Sequence, residues 1–157
     1  MSRATLERAL PADERLLVDS SALIAHLQGN EPASPAATVV IDDLVRSGRN
    51  PCVVSMVTVM EVLVRPLRRS LVAYQHVLDF LAHHPHLRAQ PIDLAVAQEA
   101  AGIRAAFNLP TPDSLVVATG IVCQVARLVT NDQRWKAALR PLGSRVEVVQ
   151  LGDHLPW

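Results

Sequence analysis

Asp19, Glu61, Asp113 and Asp132 are the residues of this sequence best placed to do chemistry. Asp19 closes the apolar run Arg15-Leu-Leu-Val-Asp19, and Asp132 follows Leu128-Val-Thr-Asn131. Asp113 opens a helical stretch after the turn Leu109-Pro-Thr-Pro, and Glu61 lies inside Val57-Thr-Val-Met-Glu-Val-Leu-Val64. Each has an ordinary explanation when taken singly. Asp19 and Asp132 suit helix N-caps, and Asp113 suits a first turn, where a carboxylate meets the positive end of the helix dipole. Glu61 suits a pair with Arg65 one turn on, worth about 0.2–0.5 kcal/mol on an exposed face. Val57 and Val64 share its side of that helix, however, which argues against free solvation there.

Taken together the four acids point elsewhere. Two carboxylates about 4 Å apart repel by roughly 4 kcal/mol at an effective dielectric near 20. A cluster of them must take up protons or bind a cation. Carboxylate oxygens, with no Cys and no His nearby in sequence, suit Mg²⁺ or Mn²⁺ rather than Zn²⁺. The common use of such an ion is phosphate chemistry, in which it activates water and offsets charge at the attacked phosphorus.

The elements that must position these acids alternate along the chain. Short apolar runs at Arg15–Asp19, Pro51–Ser55, Arg127–Asn131 and Arg145–Leu151 read as strands, with a weaker one at Leu87–Ile92. Between them, helical spacing covers Ser20–Gln28 with a stop at Gly29-Asn30, then Ala36–Ser47 with a stop at Gly48. Further helices are expected over Met56–Arg65, ending before Pro66, and over Ser70–His83, Leu94–Phe107, Asp113–Val125 and Gln133–Leu139. Strands separated by helices imply βαβ crossovers and a parallel sheet covered on both faces. In such sheets ligands bind beyond the carboxyl ends of the strands, near the switch in strand order. Asp19 and Asp132 fall at that edge.

Composition narrows the function further. The chain has 157 residues, is 50% hydrophobic and 19% charged, and balances 15 Lys+Arg against 15 Asp+Glu. That suits one α/β domain with a packed core and excludes disorder. Aromatics at 3% argue against a base-stacking platform, and the zero net charge argues against grip by bulk electrostatics. A local basic strip, or a metal at an acidic site, stays open. Cys52 and Cys123 form no C-x-x-C motif, so neither zinc nor a disulfide framework is indicated and a reducing cytoplasm is the default. The longest charge-free stretch, between Asp113 and Arg127, falls short of the roughly 20 residues of a spanning helix. The polar N-terminus offers no signal-peptide core, so secretion is not expected. No P-loop and no G-x-S-x-G elbow occurs.

Four segments in order, Leu16-Leu-Val-Asp-Ser-Ser-Ala-Leu23, Ser55-Met-Val-Thr-Val-Met-Glu-Val62, Leu109-Pro-Thr-Pro-Asp-Ser-Leu-Val-Val-Ala-Thr119 and Leu128-Val-Thr-Asn-Asp132, carry a resemblance. Together they resemble the PIN-domain ribonuclease family, most of all the VapC-type toxins of toxin–antitoxin pairs. No single segment is specific; their order and spacing are. The resemblance implies a three-layer α/β/α domain over residues 15–157, with a mainly parallel sheet of four to five strands and residues 1–14 as an N-terminal extension. It implies metal-dependent cleavage of RNA phosphodiesters by the quartet Asp19, Glu61, Asp113 and Asp132, binding Mg²⁺ or Mn²⁺. Ser20, Thr130 and Asn131 match the polar residues beside the first and last acids, and are expected to fix carboxylate rotamers. The implied partners are an RNA substrate, a small antitoxin protein and a second copy of the chain, in the cytoplasm. The sequence departs from the pattern in its N-terminal extension, in Trp135 where Phe is common, and in Gly120 within a helix usually filled by Ala.

The resemblance also implies division of labour. Asp19, Asp113 and Asp132 would hold the ion or a pair of ions, and Glu61 would complete the shell or orient water for in-line attack without a covalent intermediate. Arg65, Arg68 and Arg69 form either a phosphate-guiding strip or an ordinary solvated face. His83-His84-Pro85-His86 lacks a carboxylate or Cys at ligand spacing and is expected to be a solvated loop between helices. Two alternatives remain at this level: an RNA-processing nuclease of the same fold, and a non-catalytic binding or regulatory module.

Overall fold

A computed structural model describes residues 3–155. Five short strands form its centre: β1 (Leu16–Val18), β2 (Cys52–Ser55), β3 (Leu87–Gln90), β4 (Arg127–Thr130) and β5 (Glu147–Gln150). All neighbours pair in parallel, in the order β3-β2-β1-β4-β5. β1 is therefore central, and the strand order reverses beside it. Successive side chains on a strand leave on opposite faces, and the apolar residues sort accordingly. Leu16, Val18, Cys52, Val54 and Val129 enter one core layer, whereas Leu17, Val53 and Leu128 enter the other.

The first layer is closed by α1 (Arg3–Ala9), α2 (Ser20–Gln28), α3 (Ser34–Thr38), a π-helical segment (Val39–Val45), α4 (Met56–Arg69) and α5 (Leu71–His83). The second is closed by α6 (Leu94–Phe107), α7 (Thr111–Val122) and α8 (Arg134–Ala138). The result is the expected α/β/α arrangement, with five strands and every pairing parallel. Short 3₁₀ turns at Arg140–Leu142 and Leu151–His154 flank β5. Among the described residues no helix is long and apolar enough to cross a membrane. Cys52 and Cys123 are free, buried thiols.

Several local expectations need correction. The helix begun at Met56 does not stop before Pro66 but runs through it to Arg69. Pro66 lies in the last turn of the helix on a half-exposed flank; it forfeits the one N–H bond back to the Val62 carbonyl, and its own carbonyl still accepts from Ser70 N at 3.0 Å. Ser70 then caps α5, its Oγ accepting from Ala73 N at 3.1 Å. The helix expected over Ala36–Ser47 splits: five residues of α3 pass into the wider π form, where Arg46 N reaches back five residues to Ile41 O at 3.1 Å. The stop at Gly48 holds, with φ at +79°.

The segment ahead of β1 is structured in α1, and Leu6 and Leu10 are fully buried in the first core layer. The histidine run is not simply solvated. His84 is buried against Phe80 with ring centroids 5.0 Å apart, and its Nδ1 donates to the Pro85 carbonyl at 3.0 Å.

Candidate functional site

The carboxyl ends of β1, β2 and β4 lie side by side, so the residues that follow them converge. Asp19 follows β1 and caps α2, its Oδ1 accepting from Ala22 N at 3.0 Å. The ordinary capping role is thus real, yet it uses only part of the carboxylate. Ser21 Oγ donates to the same Oδ1 at 2.8 Å, and Thr130 Oγ1 donates to Oδ2 at 2.6 Å from the end of β4. Both hydroxyls also accept: Asp132 N donates to Thr130 Oγ1 at 3.0 Å, and Asn131 N donates to Ser21 Oγ at 2.8 Å. Two hydroxyls therefore tie the end of β1 to the end of β4, each spending its proton on Asp19.

Glu61 comes from α4, which starts at the end of β2 with Ser55 as its cap. It makes no hydrogen bond or ion pair among the described residues, so the ordinary pairing with Arg65, one turn on, is not formed. Asp113 sits in the first turn of α7, which opens two residues earlier than expected, at Thr111, with Pro112 in its first turn. Asp132 lies two residues beyond β4. Its carboxylate is paired with Arg134, whose Nε lies 3.1 and 3.0 Å from the two oxygens and whose Nη2 lies 2.5 Å from Oδ2.

These four acids line one cavity of about 110 Å³. Ser20 and Ser21 complete its polar wall, Val116 and the buried Trp135 form its apolar side, and among the described residues Arg134 is the one cation on it. The electrostatics follow from the crowding. Asp19 is 3% exposed, and burial pushes its carboxyl up to about 6 despite the hydroxyl and amide donors, with Asp132 adding repulsion. Asp113 is also raised, first by desolvation and then by Glu61 and Asp132, while Arg134 opposes the shift. Asp132 is held below the ordinary carboxylate range, chiefly by its hydrogen bonds to Arg134.

The supporting residues differ in part from expectation. Thr130 holds Asp19 directly. Ser20 lines the cavity, but the hydroxyl bonded to Asp19 belongs to Ser21. Asn131 contributes its backbone N–H to the network, while its side-chain amide turns to Glu31 Oε2 at 3.3 Å. Arg65, Arg68 and Arg69 are exposed on the far end of α4 and do not line the cavity. Sequence reading passed over Ser21 and Arg134. The signal for Ser21 was its place two residues beyond an N-cap Asp; for Arg134 it was a charge of opposite sign two residues from Asp132.

The donor set suits a hard divalent cation, because among the described residues four carboxylates and no thiol or imidazole line the cavity. Among the described residues, no three His, Cys, Asp or Glu side chains already converge as ligands. The geometry gives the reason: the Asp132 carboxylate is turned onto Arg134, and both Asp19 oxygens are turned onto internal donors.

The family model described as "PIN domain" matches residues 16–139. A comparison with curated proteins returns no match. Among solved structures, a toxin–antitoxin complex from Klebsiella pneumoniae aligns at 20% identity and TM-score 0.65, over 87% of this chain and 97% of that one. FitAcB from Neisseria gonorrhoeae aligns at 19% identity and TM-score 0.66, over 89% and 99%. VapC20 from Mycobacterium tuberculosis, described as a toxin that cleaves the sarcin–ricin loop, aligns at 14% identity and TM-score 0.63, over 78% and 94%. At these identities the likeness is one of fold.

Proposed function

The chain belongs to the PIN domain family, and from that premise we propose that it is an Mg²⁺- or Mn²⁺-dependent endoribonuclease, the toxin of a toxin–antitoxin pair. The observation that carries the reading is the meeting of Asp19, Glu61, Asp113 and Asp132 around one cavity at the strand-order switch. Four separate stretches of chain supply them. Buried, mutually repelling carboxylates are costly unless a cation joins them.

Asp19, Asp113 and Asp132 are the residues that would hold the ion. When bound, it supplies the positive charge that lowers the pKa of water and offsets charge on the phosphodiester. Glu61, without a partner of its own, is free to accept a proton from the attacking water or to complete the shell. Ser21 and Thr130 keep the Asp19 carboxylate in one rotamer at the edge of the cavity. Val116 and Trp135 exclude water from one side of the cavity.

Two protein partners belong to the same reading: a small antitoxin, and a second copy of the chain in a cytoplasmic homodimer. The solved neighbours are described as toxin–antitoxin or VapBC assemblies. For self-association the support lies in this chain itself. Met56, Met60, Val64 and Leu67 recur at helical spacing along α4, and all are exposed, Met60 by 56% and Leu67 by 58%.

The test is cleavage of total RNA by the wild type and by Asp113→Asn, each with Mn²⁺ and with EDTA. Discrete fragments that require both the metal and Asp113 are expected. Metal binding by folded protein without cleavage of any RNA would favour a regulatory module instead.

A further inference from the structure

Arg134 stands at the cavity as a cation where the donor set calls for one. Its guanidinium meets both oxygens of Asp132, and its own backbone N–H donates to Oδ1 at 2.9 Å. It also faces Asp113 closely enough to oppose the repulsion from Glu61 and Asp132. Among the described residues no other Lys, Arg or His lines the cavity. The side chain is nonetheless 87% exposed, against 24% for Asp132. A guanidinium so exposed is fixed by the carboxylate and not by packing. An ion pair of that kind is weak and is screened by salt. Release of Arg134 to solvent would free the Asp132 oxygens from the guanidinium and leave only the Arg134 backbone N–H on Oδ1.

We propose that Arg134 is a tethered counter-ion that occupies Asp132 until a divalent cation displaces it, and so sets the metal affinity of the site. The inference rests on the metal-dependent reading of the same cavity. Arg134 is a positioning residue: it acts on the site through Asp132. In the metal-free protein it neutralises one of four crowded carboxylates. On metal binding its charge is expelled, which lowers affinity by the free energy of the lost pair. The exposed guanidinium is left at the cavity mouth.

The test is titration of the full chain with Mn²⁺ alone, by calorimetry, on wild type, Arg134→Gln and Asp113→Asn at low and high potassium chloride. Arg134→Gln is expected to bind Mn²⁺ about fivefold more tightly than wild type at low salt. The gap is expected to narrow at high salt, where the pair is already screened. Arg134→Lys keeps the charge and loses the fork, and is expected to fall between the two. Equal or weaker Mn²⁺ binding by Arg134→Gln, with Asp113→Asn still impaired, would overturn the role of Arg134 and leave the metal site standing. Absence of Mn²⁺ binding in wild type and Arg134→Gln alike, with both folded by circular dichroism, would overturn the metal reading and this inference with it.

Discussion

Thr130 Oγ1 and Asp19 Oδ2 lie 2.6 Å apart although 111 residues separate them in the chain. The hydroxyl is fully buried, and it receives the Asp132 N–H as well as donating to Asp19. With Ser21, it thus couples the segments that follow the two central strands. Thr130→Val keeps the shape and removes both bonds. The expected cost is about 1–3 kcal/mol of stability, because a buried N–H and a buried carboxylate each lose a partner. Cleavage is expected to fall with it, whereas Thr130→Ser should retain both. Denaturant unfolding and RNA cleavage on the two variants decide this; a Thr130→Val protein as stable as wild type would sink the coupling.

The buried Asp19 carboxyl gives a pH dependence of definite sign. Its folded pKa of about 6 lies above the ordinary aspartate value of 3.8, so the folded state holds the proton more tightly than the unfolded chain. The Asp19 contribution to the stability of the metal-free protein therefore falls as pH rises from about 4 to about 6 and is flat outside that window. Asp19→Asn cannot ionise and lacks the penalty. Its stability relative to wild type is expected to improve by about 2–3 kcal/mol between pH 4 and pH 7, measured without metal. The same variant should lose nearly all cleavage. A stability difference that stays constant across that range would contradict the burial account.

Gly120 looks from sequence like a weak point in a helix, since Gly costs about 1 kcal/mol against Ala there. The structure reverses that judgement. A Cβ at this position would lie 3.0 Å from Val125 Cγ2 and 3.1 Å from Leu17 Cδ2, both in the core between α7 and β1. Close approach of helix to sheet is what the residue permits. Overpacking of this kind costs about 1–3 kcal/mol, more than the propensity gained. Gly120→Ala is expected to be less stable by about 1 kcal/mol in a thermal or urea melt; a more stable variant would mean that the core yields without strain.

These residues also mark what could be read without coordinates. The runs around Leu17, Val53 and Leu128 are apolar on both faces, as buried parallel strands must be, and they placed Asp19 and Asp132 at the right edge. Asp113 was legible because prolines bracket the turn before it. The π-helical turn at Val39–Val45 was not, because periodicity cannot separate a bond to the fifth residue from one to the fourth. Nor was α1, whose burial depends on just Leu6 and Leu10 within a polar segment. Ser21 and Arg134 escaped for a common reason. Each acts through side-chain direction, and direction is set by partners distant in sequence or by a turn that composition does not specify.

The exposed apolar row on α4 bears on assembly. Met56, Met60, Val64 and Leu67 are separated by four, four and three residues, so they form one stripe along the helix. Leu71, at the start of α5, is 74% exposed as well. A row of this length left to water favours burial against a like surface, at about 25 cal/mol per Å² of apolar area removed. If a second copy covers it, a charge at its middle must be excluded from the interface. Met60→Glu is expected to convert the dimer to monomer in sedimentation velocity while leaving the far-ultraviolet circular dichroism unchanged, since Met60 is already exposed in the single chain. Arg65→Glu, on the same helix, tests whether any added carboxylate does the same. A wild type that sediments only as monomer well above its working concentration would dispose of the dimer and leave the stripe to another partner.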